Sequence, residues 1–237
     1  MRKIQPIEWG VRKFMSSRLK KGLTIWDLDG TLLDTIEDLG AAGNHALERL
    51  GYPTHDLAAY KGFVGNGVEC LTRRMLPQGS SPALQIRALE MFNRYYDANR
   101  DRFTVPYSGI SEILVWLRER GIYVAVCTNK PEEHAKPLLN QHFPGKIDFV
   151  VGSRAGLPKK PNPQGLTEIL ARFREERSRT LYIGDSDVDM ETGKAAGLYT
   201  VGVTWGYRGE EALAAAGADA LARTAGELEA LILERLR

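Results

Sequence analysis

The sequence has little cysteine, little histidine and no long apolar run. Two cysteines in 237 residues, Cys70 and Cys127, cannot build a disulfide scaffold, and they read as reduced thiols of a cytoplasmic protein. The four histidines, His45, His55, His134 and His142, show no zinc-ligand spacing. No stretch of eighteen apolar residues occurs, so no membrane-spanning helix is expected. Glycine and proline are frequent but not periodic, which excludes a collagen-like chain. Neither a complete G-x-x-x-x-G-K-[ST] nor a G-x-G-x-x-G motif is found, so a nucleotide loop or dinucleotide fingerprint has no support.

What is present suits an ordinary folded domain. Hydrophobic residues make up 43% and charged residues 26% of the chain, enough apolar surface to offset the entropy of ordering. The formal net charge of +2 hides an asymmetry. Residues 1–21 carry seven basic residues against one acid, Glu8, whereas the rest of the chain holds 25 basic and 29 acidic residues. A nucleic-acid role inferred from the basic pI would therefore rest on the tail alone, and none is expected. In this N-terminal extension Ile4, Ile7, Val11, Met15 and Leu19 recur at helical spacing between basic residues. Such a segment packs on the body, frays, or lies on an anionic membrane. It does not read as a signal peptide, and Met15 is an alternative start.

Strands and helices alternate over most of the chain. The apolar run Leu23–Trp26 ends abruptly in Asp27-Leu28-Asp29-Gly30-Thr31, a buried strand feeding a polar loop. Helical patterns follow at 36–50, 68–76 and 82–99, with no strand between them. Beyond residue 106, strands are expected at 123–127, 147–151, 180–183 and 200–203. Helices are expected at 110–120, 131–143, 166–176, 189–196 and 224–236. This is the pattern of an α/β fold, a Rossmann-like parallel-sheet core covered on both faces, with an inserted all-helical domain. The expected boundaries are 22–35 and 106–237 for the core and 36–105 for the helical insertion. Ligands of such sheets bind beyond the carboxyl ends of the strands, which points to Asp27, Thr128 and Asp185.

The residues at those ends share one chemistry. Asp27 and Asp29 follow one strand, and Asp185, Asp187 and Asp189 follow another. Like charges at this density raise one another's pKa unless a cation sits among them, and hard oxygen donors suit magnesium. An EF-hand is excluded, because Met190 and Ala196 stand where its loop glycine and glutamate belong. Thr128-Asn129 adds a hydroxyl and an amide, and Lys160-Pro161-Asn162-Pro163 adds an ammonium on a stiff loop. A dication, a fixed cation and several donors are what phosphoryl transfer requires, since its transition state spreads negative charge over three oxygens.

Asp27-Leu28-Asp29-Gly30-Thr31-Leu32, Thr128-Asn129-Lys130, Lys160-Pro161 and Gly184-Asp185 with Asp189 together resemble the four motifs of the haloacid-dehalogenase superfamily. The helical insertion resembles the small helical cap of that superfamily. The resemblance implies that Asp27 is a nucleophile forming an aspartyl-phosphate. It implies that Asp29 first protonates the leaving oxygen and then activates water. Magnesium would be held by Asp27, the backbone carbonyl of Asp29 and Asp185, with Asp189 bound directly or behind them. Leu28, Gly30, Thr128, Asn129 and Lys160 would surround the phosphate. Asp29 also separates this chain from dehalogenases and phosphonate-cleaving members, which lack an aspartate there.

The insertion bears on substrate. Gly62-Phe63-Val64-Gly65-Asn66-Gly67-Val68, with Leu71 and Arg74, is similar to the specificity loop of bacterial phosphoglycolate phosphatases, as is Asp34-Thr35. The resemblance implies a small phosphorylated substrate, 2-phosphoglycolate above all. Gly65, Asn66 and Arg74 would face it, with Arg73 and Lys61 as further candidate cations. A sugar phosphomutase, a pyrophosphatase, a nucleotidase and a non-catalytic phosphate-binding module remain alternatives. The chain is expected to act as a monomer or homodimer.

Overall fold

A computed structural model describes residues 22–236; the basic extension expected over 1–21 lies outside the described residues. Strand β1 (Leu23–Trp26) is buried along its whole length and opens the core. A short strand β2 (Leu33–Asp34) leads into four helices, α1 (Ile36–Leu50), α2 (Leu57–Phe63), α3 (Val68–Met75) and α4 (Pro82–Asn99). The chain returns through β3 (Val105–Pro106) to α5 (Ile110–Glu119), β4 (Tyr123–Pro131), α6 (Glu132–His142), β5 (Phe149–Ser153) and α7 (Gln164–Phe173). It closes with β6 (Thr180–Gly184), α8 (Asp187–Ala195), β7 (Tyr199–Val203), α9 (Glu210–Ala215), β8 (Ala220–Ala222) and α10 (Ala225–Leu236).

Six strands form one sheet in the order β5-β4-β1-β6-β7-β8, every pair parallel. Strand β1 lies in the middle, bonded to β4 on one side and β6 on the other, so the chain order reverses at β1. Its period-two pattern divides the core. Leu23 and Ile25 join Tyr182, Val151, Ile169 and Leu198 on one face, and Trp26 joins Leu114, Leu117, Leu228 and Ile232 on the other. Burial on both faces accounts for the near-continuous apolar runs of β1 and β6.

The helical insertion has a core of its own. Ile36, Leu39, Ala42, Ala46 and Leu47 make the apolar stripe of α1, which packs on Tyr60, Leu71, Met75, Phe92 and Tyr96. Helix α1 stops at Gly51, whose φ of +78° suits glycine. Ser81 caps α4 ahead of Pro82, its hydroxyl accepting from Leu84 N. The antiparallel pair β2–β3, Leu33 to Pro106 and Asp34 to Val105, ties the entry and exit of the insertion together. Asp38 fastens the exit, accepting bonds from Phe103 N at 3.1 Å, Thr104 N at 2.9 Å and Thr104 Oγ1 at 2.6 Å.

The expected five-strand core is therefore a six-strand one. The added strand β8 is Ala-Leu-Ala, without the β-branched residues that mark strands. Helices α2 and α9 also escape the sequence pattern, being only 7 and 6 residues long. Strand β4 extends to Pro131, which places Thr128, Asn129 and Lys130 on the strand itself. No helix among the described residues is long and apolar enough to cross a membrane.

Candidate active site

The carboxyl ends of β1, β4 and β6 are adjacent because these strands are neighbours in the sheet. Asp27 follows β1, Thr128–Lys130 end β4, and Asp185 follows β6, so the point where the strand order reverses collects them.

Asp27, Asp185 and Asp189 are buried, and an oxygen from each lies within 4.8 Å of the others. Lys160 is the cation among them. Its Nζ stands 2.8 Å from Asp27 Oδ1, 2.7 Å from Asp189 Oδ1 and 3.1 Å from Tyr182 Oη. Burial, reinforced by Asp189, pushes the Asp27 carboxyl up to about 7 against the opposing pull of Lys160. Burial likewise drives Asp185 well above the usual carboxylate range, with Asp189 and Asp27 adding to it. For Lys160 burial acts downward, but the Asp189 and Asp27 carboxylates outweigh it and hold the ammonium above its ordinary value. Three buried carboxylates against one lysine make a site that a divalent cation would neutralise, and their donors are all hard oxygens.

The three acids are not equivalent. Asp189 is fully buried and both its oxygens are engaged. Oδ1 takes bonds from Lys160 and from Tyr182 at 2.7 Å, and Oδ2 takes them from Ser186 N and Oγ. Ser186 in turn caps α8, a reciprocal capping box that fixes Asp189. Asp189 is thus the acid with the most protein partners and the one that orients Lys160, while all three carboxylates remain close enough together to hold a metal ion. Asp185 is steered by Thr31 Oγ1 at 3.1 Å and Tyr207 N at 2.7 Å. Two glycines permit this approach: a Cβ at Gly30, whose φ is +89°, or at Gly206 would meet Asp185 atoms at 2.3 Å.

Asp29 occupies a different environment. Its Oδ1 accepts from Thr35 Oγ1 at 2.7 Å and from Lys130 Nζ at 2.9 Å. Tyr207 Oη fixes Thr35 in turn, accepting from its backbone N at 3.0 Å. Lys130 is buried, and its ammonium lies 4.9 Å from the ring centre of Tyr96 on α4. Burial alone would lower the Lys130 pKa; Asp29 and Tyr96 reverse that and raise it.

Above the two aspartates lies a cavity of about 50 Å³ between core and insertion. Asp27, Asp29, Thr128, Asn129, Lys130 and His134 line its polar side, and Leu39, Val64, Val68, Leu71, Phe92 and Tyr96 its apolar side. One water needs roughly 10–15 Å³ on this measure, so the space admits only a few atoms with the insertion in this position. Contacts across the gap hold it there. Arg208 donates to Val64 O at 3.0 Å and also to Lys61 O, Asn129 Nδ2 donates to Gly65 O at 2.9 Å, and Lys159 pairs with Glu69.

Most of the residues singled out in the sequence meet here, though not all as expected. Thr128 lines the cavity, and its Oγ1 accepts from Lys130 N at 3.2 Å. The Asn129 amide is taken up by the protein: it accepts from Lys160 N at 2.8 Å and donates to Lys160 O and Gly65 O. It ties the Lys160 loop to the insertion and does not point a free amide at a phosphate. The Leu28 side chain belongs to the core, and Gly30 N donates to Leu33 O at 2.9 Å. Gly65 and Gly67 line the cavity; Asn66 does not. Arg74 is exposed and donates to Phe63 O at 3.0 Å, because α3 turns that face to solvent; Arg73 and Lys61 are exposed as well. None of these three cations lines the cavity.

Sequence reasoning gave no role to Lys130, Tyr96, His134, Tyr182, Ser186 or Tyr207. Only Lys130 carried a signal, its place beside Thr128-Asn129. The buried Cys127 thiol, pushed up to about 12 by desolvation, behaves as an inert core residue.

Comparison with known proteins agrees with this geometry. The profile of the haloacid dehalogenase-like hydrolases matches residues 24–203. The phosphoglycolate phosphatase of Pseudomonas syringae pv. syringae is 37% identical over 204 residues, covering 84% of this chain and 74% of that protein. That of Vibrio cholerae serotype O1 is 33% identical over 220 residues, covering 89% and 96%. A crystal structure from Lactobacillus delbrueckii subsp. bulgaricus, provisionally named a phosphoglycolate phosphatase, superposes with a TM-score of 0.85 at 31% identity, covering 89% of this chain and 98% of its own. The acidic cluster at the reversal of strand order, the lysine between its carboxylates and the profile match over most of the chain agree: the chain belongs to the haloacid dehalogenase-like hydrolase family.

Proposed function

We propose that this protein is a cytoplasmic, magnesium-dependent phosphatase that hydrolyses a small phosphate monoester, 2-phosphoglycolate foremost. One observation carries the reading. Asp27 and Asp29 share the wall of a cavity of about 50 Å³, one against Lys160 and the other against Lys130 and Thr35. Relatives named phosphoglycolate phosphatase support the substrate.

The first half of the reaction forms a bond between a carboxylate oxygen of Asp27 and phosphorus. The ester P–O bond breaks, and the departing oxygen takes the proton of Asp29. In the second half Asp29 removes a proton from water, whose oxygen attacks phosphorus and returns Asp27 as a carboxylate. Splitting the displacement in this way replaces one difficult step with two easier ones. Lys160 holds the Oδ1 of Asp27, which leaves Oδ2 for attack. Both protein bonds to Asp29 fall on its Oδ1, which leaves Oδ2 for the proton. Thr128 offers its hydroxyl to the phosphate. Asp27, Asp185 and the Asp29 carbonyl would hold the magnesium, which supplies charge neutralisation at the phosphate. The insertion, residues 36–105, works as a cap: it opens to admit substrate and closes to exclude water.

The test is phosphate release from 2-phosphoglycolate, sugar phosphates, nucleotides and pyrophosphate, each with magnesium and with chelator. Magnesium-dependent release that strongly favours phosphoglycolate is expected. Strong preference for another substrate would keep the chemistry and overturn the substrate. Phosphorylated isomers without free phosphate would show a mutase.

A further inference from the structure

We propose that Lys130 determines specificity: its ammonium, with the hydroxyl of Tyr96, binds the carboxylate at the non-reacting end of the substrate. This rests on the phosphatase reading above and adds the group that recognises the substrate's second charge.

A substrate with a carboxylate two atoms from the ester oxygen needs a cation in a nearly dry pocket. The loop on the insertion is where a cation would be sought, but Lys61, Arg73 and Arg74 are all exposed and none lines the cavity. Among the described residues, the basic side chains that line it are Lys130 and His134. His134 is engaged elsewhere, its Nε2 2.8 Å from Asp97 Oδ1. Lys130 remains, only 3% exposed at its side chain.

Lys130 also has donors to offer. An ammonium carries three N–H groups; Asp29 takes one and Tyr96 Oη faces another, which leaves one for a guest. If Lys130 served only to hold Asp29 it would repeat the work of Thr35, which bonds the same Oδ1 at 2.7 Å. The second observation is independent. Tyr96 Oη is buried, its neighbour is the Lys130 ammonium, and no described group accepts its proton. Buried hydroxyls are normally satisfied, and one left open at a cavity beside a buried ammonium suits an anionic guest. The apolar wall of Leu39, Val68, Leu71 and Phe92 keeps bulk water from competing.

The experiment compares 2-phosphoglycolate with ethyl phosphate, which has a methyl group in place of the carboxylate, in the wild type, K130M and Y96F. The readout is the ratio of kcat/KM for the two substrates. Any loss through Asp29 falls on both substrates and cancels in that ratio. In K130M the ratio is expected to fall by about a hundredfold, the scale on which truncating one member of a buried charge pair acts. Y96F removes a hydroxyl whose proton no described group accepts and leaves the ring packed in place, so it keeps the fold even if K130M does not. It is expected to lower the same ratio by roughly tenfold, mainly through KM for phosphoglycolate. An unchanged ratio in either folded variant overturns the assignment. A wild type that fails to prefer phosphoglycolate overturns the proposed function itself, and the assignment with it.

Discussion

The Lys160 ammonium stands 2.8 Å from Asp27 Oδ1, and both side chains are more than nine-tenths buried. Neither would be stable there alone, since an unpaired charge out of water is costly. The pair is also incomplete, because Asp185 and Asp189 add two further carboxylates within reach.

Replacing Lys160 should therefore expose the imbalance. K160M is expected to lose about 3–5 kcal/mol of stability, the range found when one partner of a buried ion pair is removed. Phosphate release should fall with it. Magnesium should raise the Tm of K160M by more than it raises that of the wild type, because it would then be the only cation against three acids. Equal shifts in thermal melts with and without magnesium would contradict this balance.

Asp38 is a structural counterpart to these acids. Its carboxylate holds the chain as it leaves the cap, through Phe103 N, Thr104 N and the Thr104 hydroxyl. D38A is expected to cost about 2–4 kcal/mol in denaturant unfolding, since bonds to a charged group each contribute about 1.5–3 kcal/mol. A loss below about 1 kcal/mol would mean that the β2–β3 pair suffices to close the insertion.

The places of Asp27, Thr128 and Asp185 were legible because they sit at or near strand ends, where the strand pattern alone directs attention, and that of Lys160 because it stands on a proline-flanked loop. What the sequence could not reveal was which partners each side chain would take. Spacing left open whether Asp189 binds a metal directly or stands behind the other acids; the structure shows its partners, with the capping box at Ser186 turning it toward Lys160 and Tyr182. Arg74 looks like a substrate cation by proximity to the glycine turn, yet the phase of α3 sends it to solvent. Lys130 was visible in its motif, but its pairing with Asp29 joins residues 101 positions apart, and Tyr96 reaches it only because the cap folds over the core. Strand β8 was missed because sheet neighbours, not local propensity, hold Ala220–Ala222 in place.

His134 gives the protein a pH-dependent component of stability. Burial holds its pKa below the ordinary value and Lys130 adds to this, with Asp97 and Glu133 opposing. The unfolded chain thus takes up this proton first as the pH falls. The contribution is complete above about 6.5, the ordinary histidine value, and is lost as the pH drops through the lower folded value. The stability difference between wild type and H134Q should be constant from pH 8 to 7 and should shift against the wild type below 6. Parallel stability curves down to pH 5 would show that His134 titrates alike in both states.

Asp27 is the residue on which the whole account depends, and its substitution by asparagine is the most direct test. D27N keeps the shape of the side chain and removes the nucleophilic charge. The measurement is phosphate release from 2-phosphoglycolate with magnesium, beside a thermal melt of the same sample. The account predicts a loss of at least about a thousandfold in kcat, as when a nucleophile is removed, with a Tm no lower than that of the chelator-treated wild type. A D27N protein that retains most of its activity would contradict the assignment of Asp27 as the attacking group.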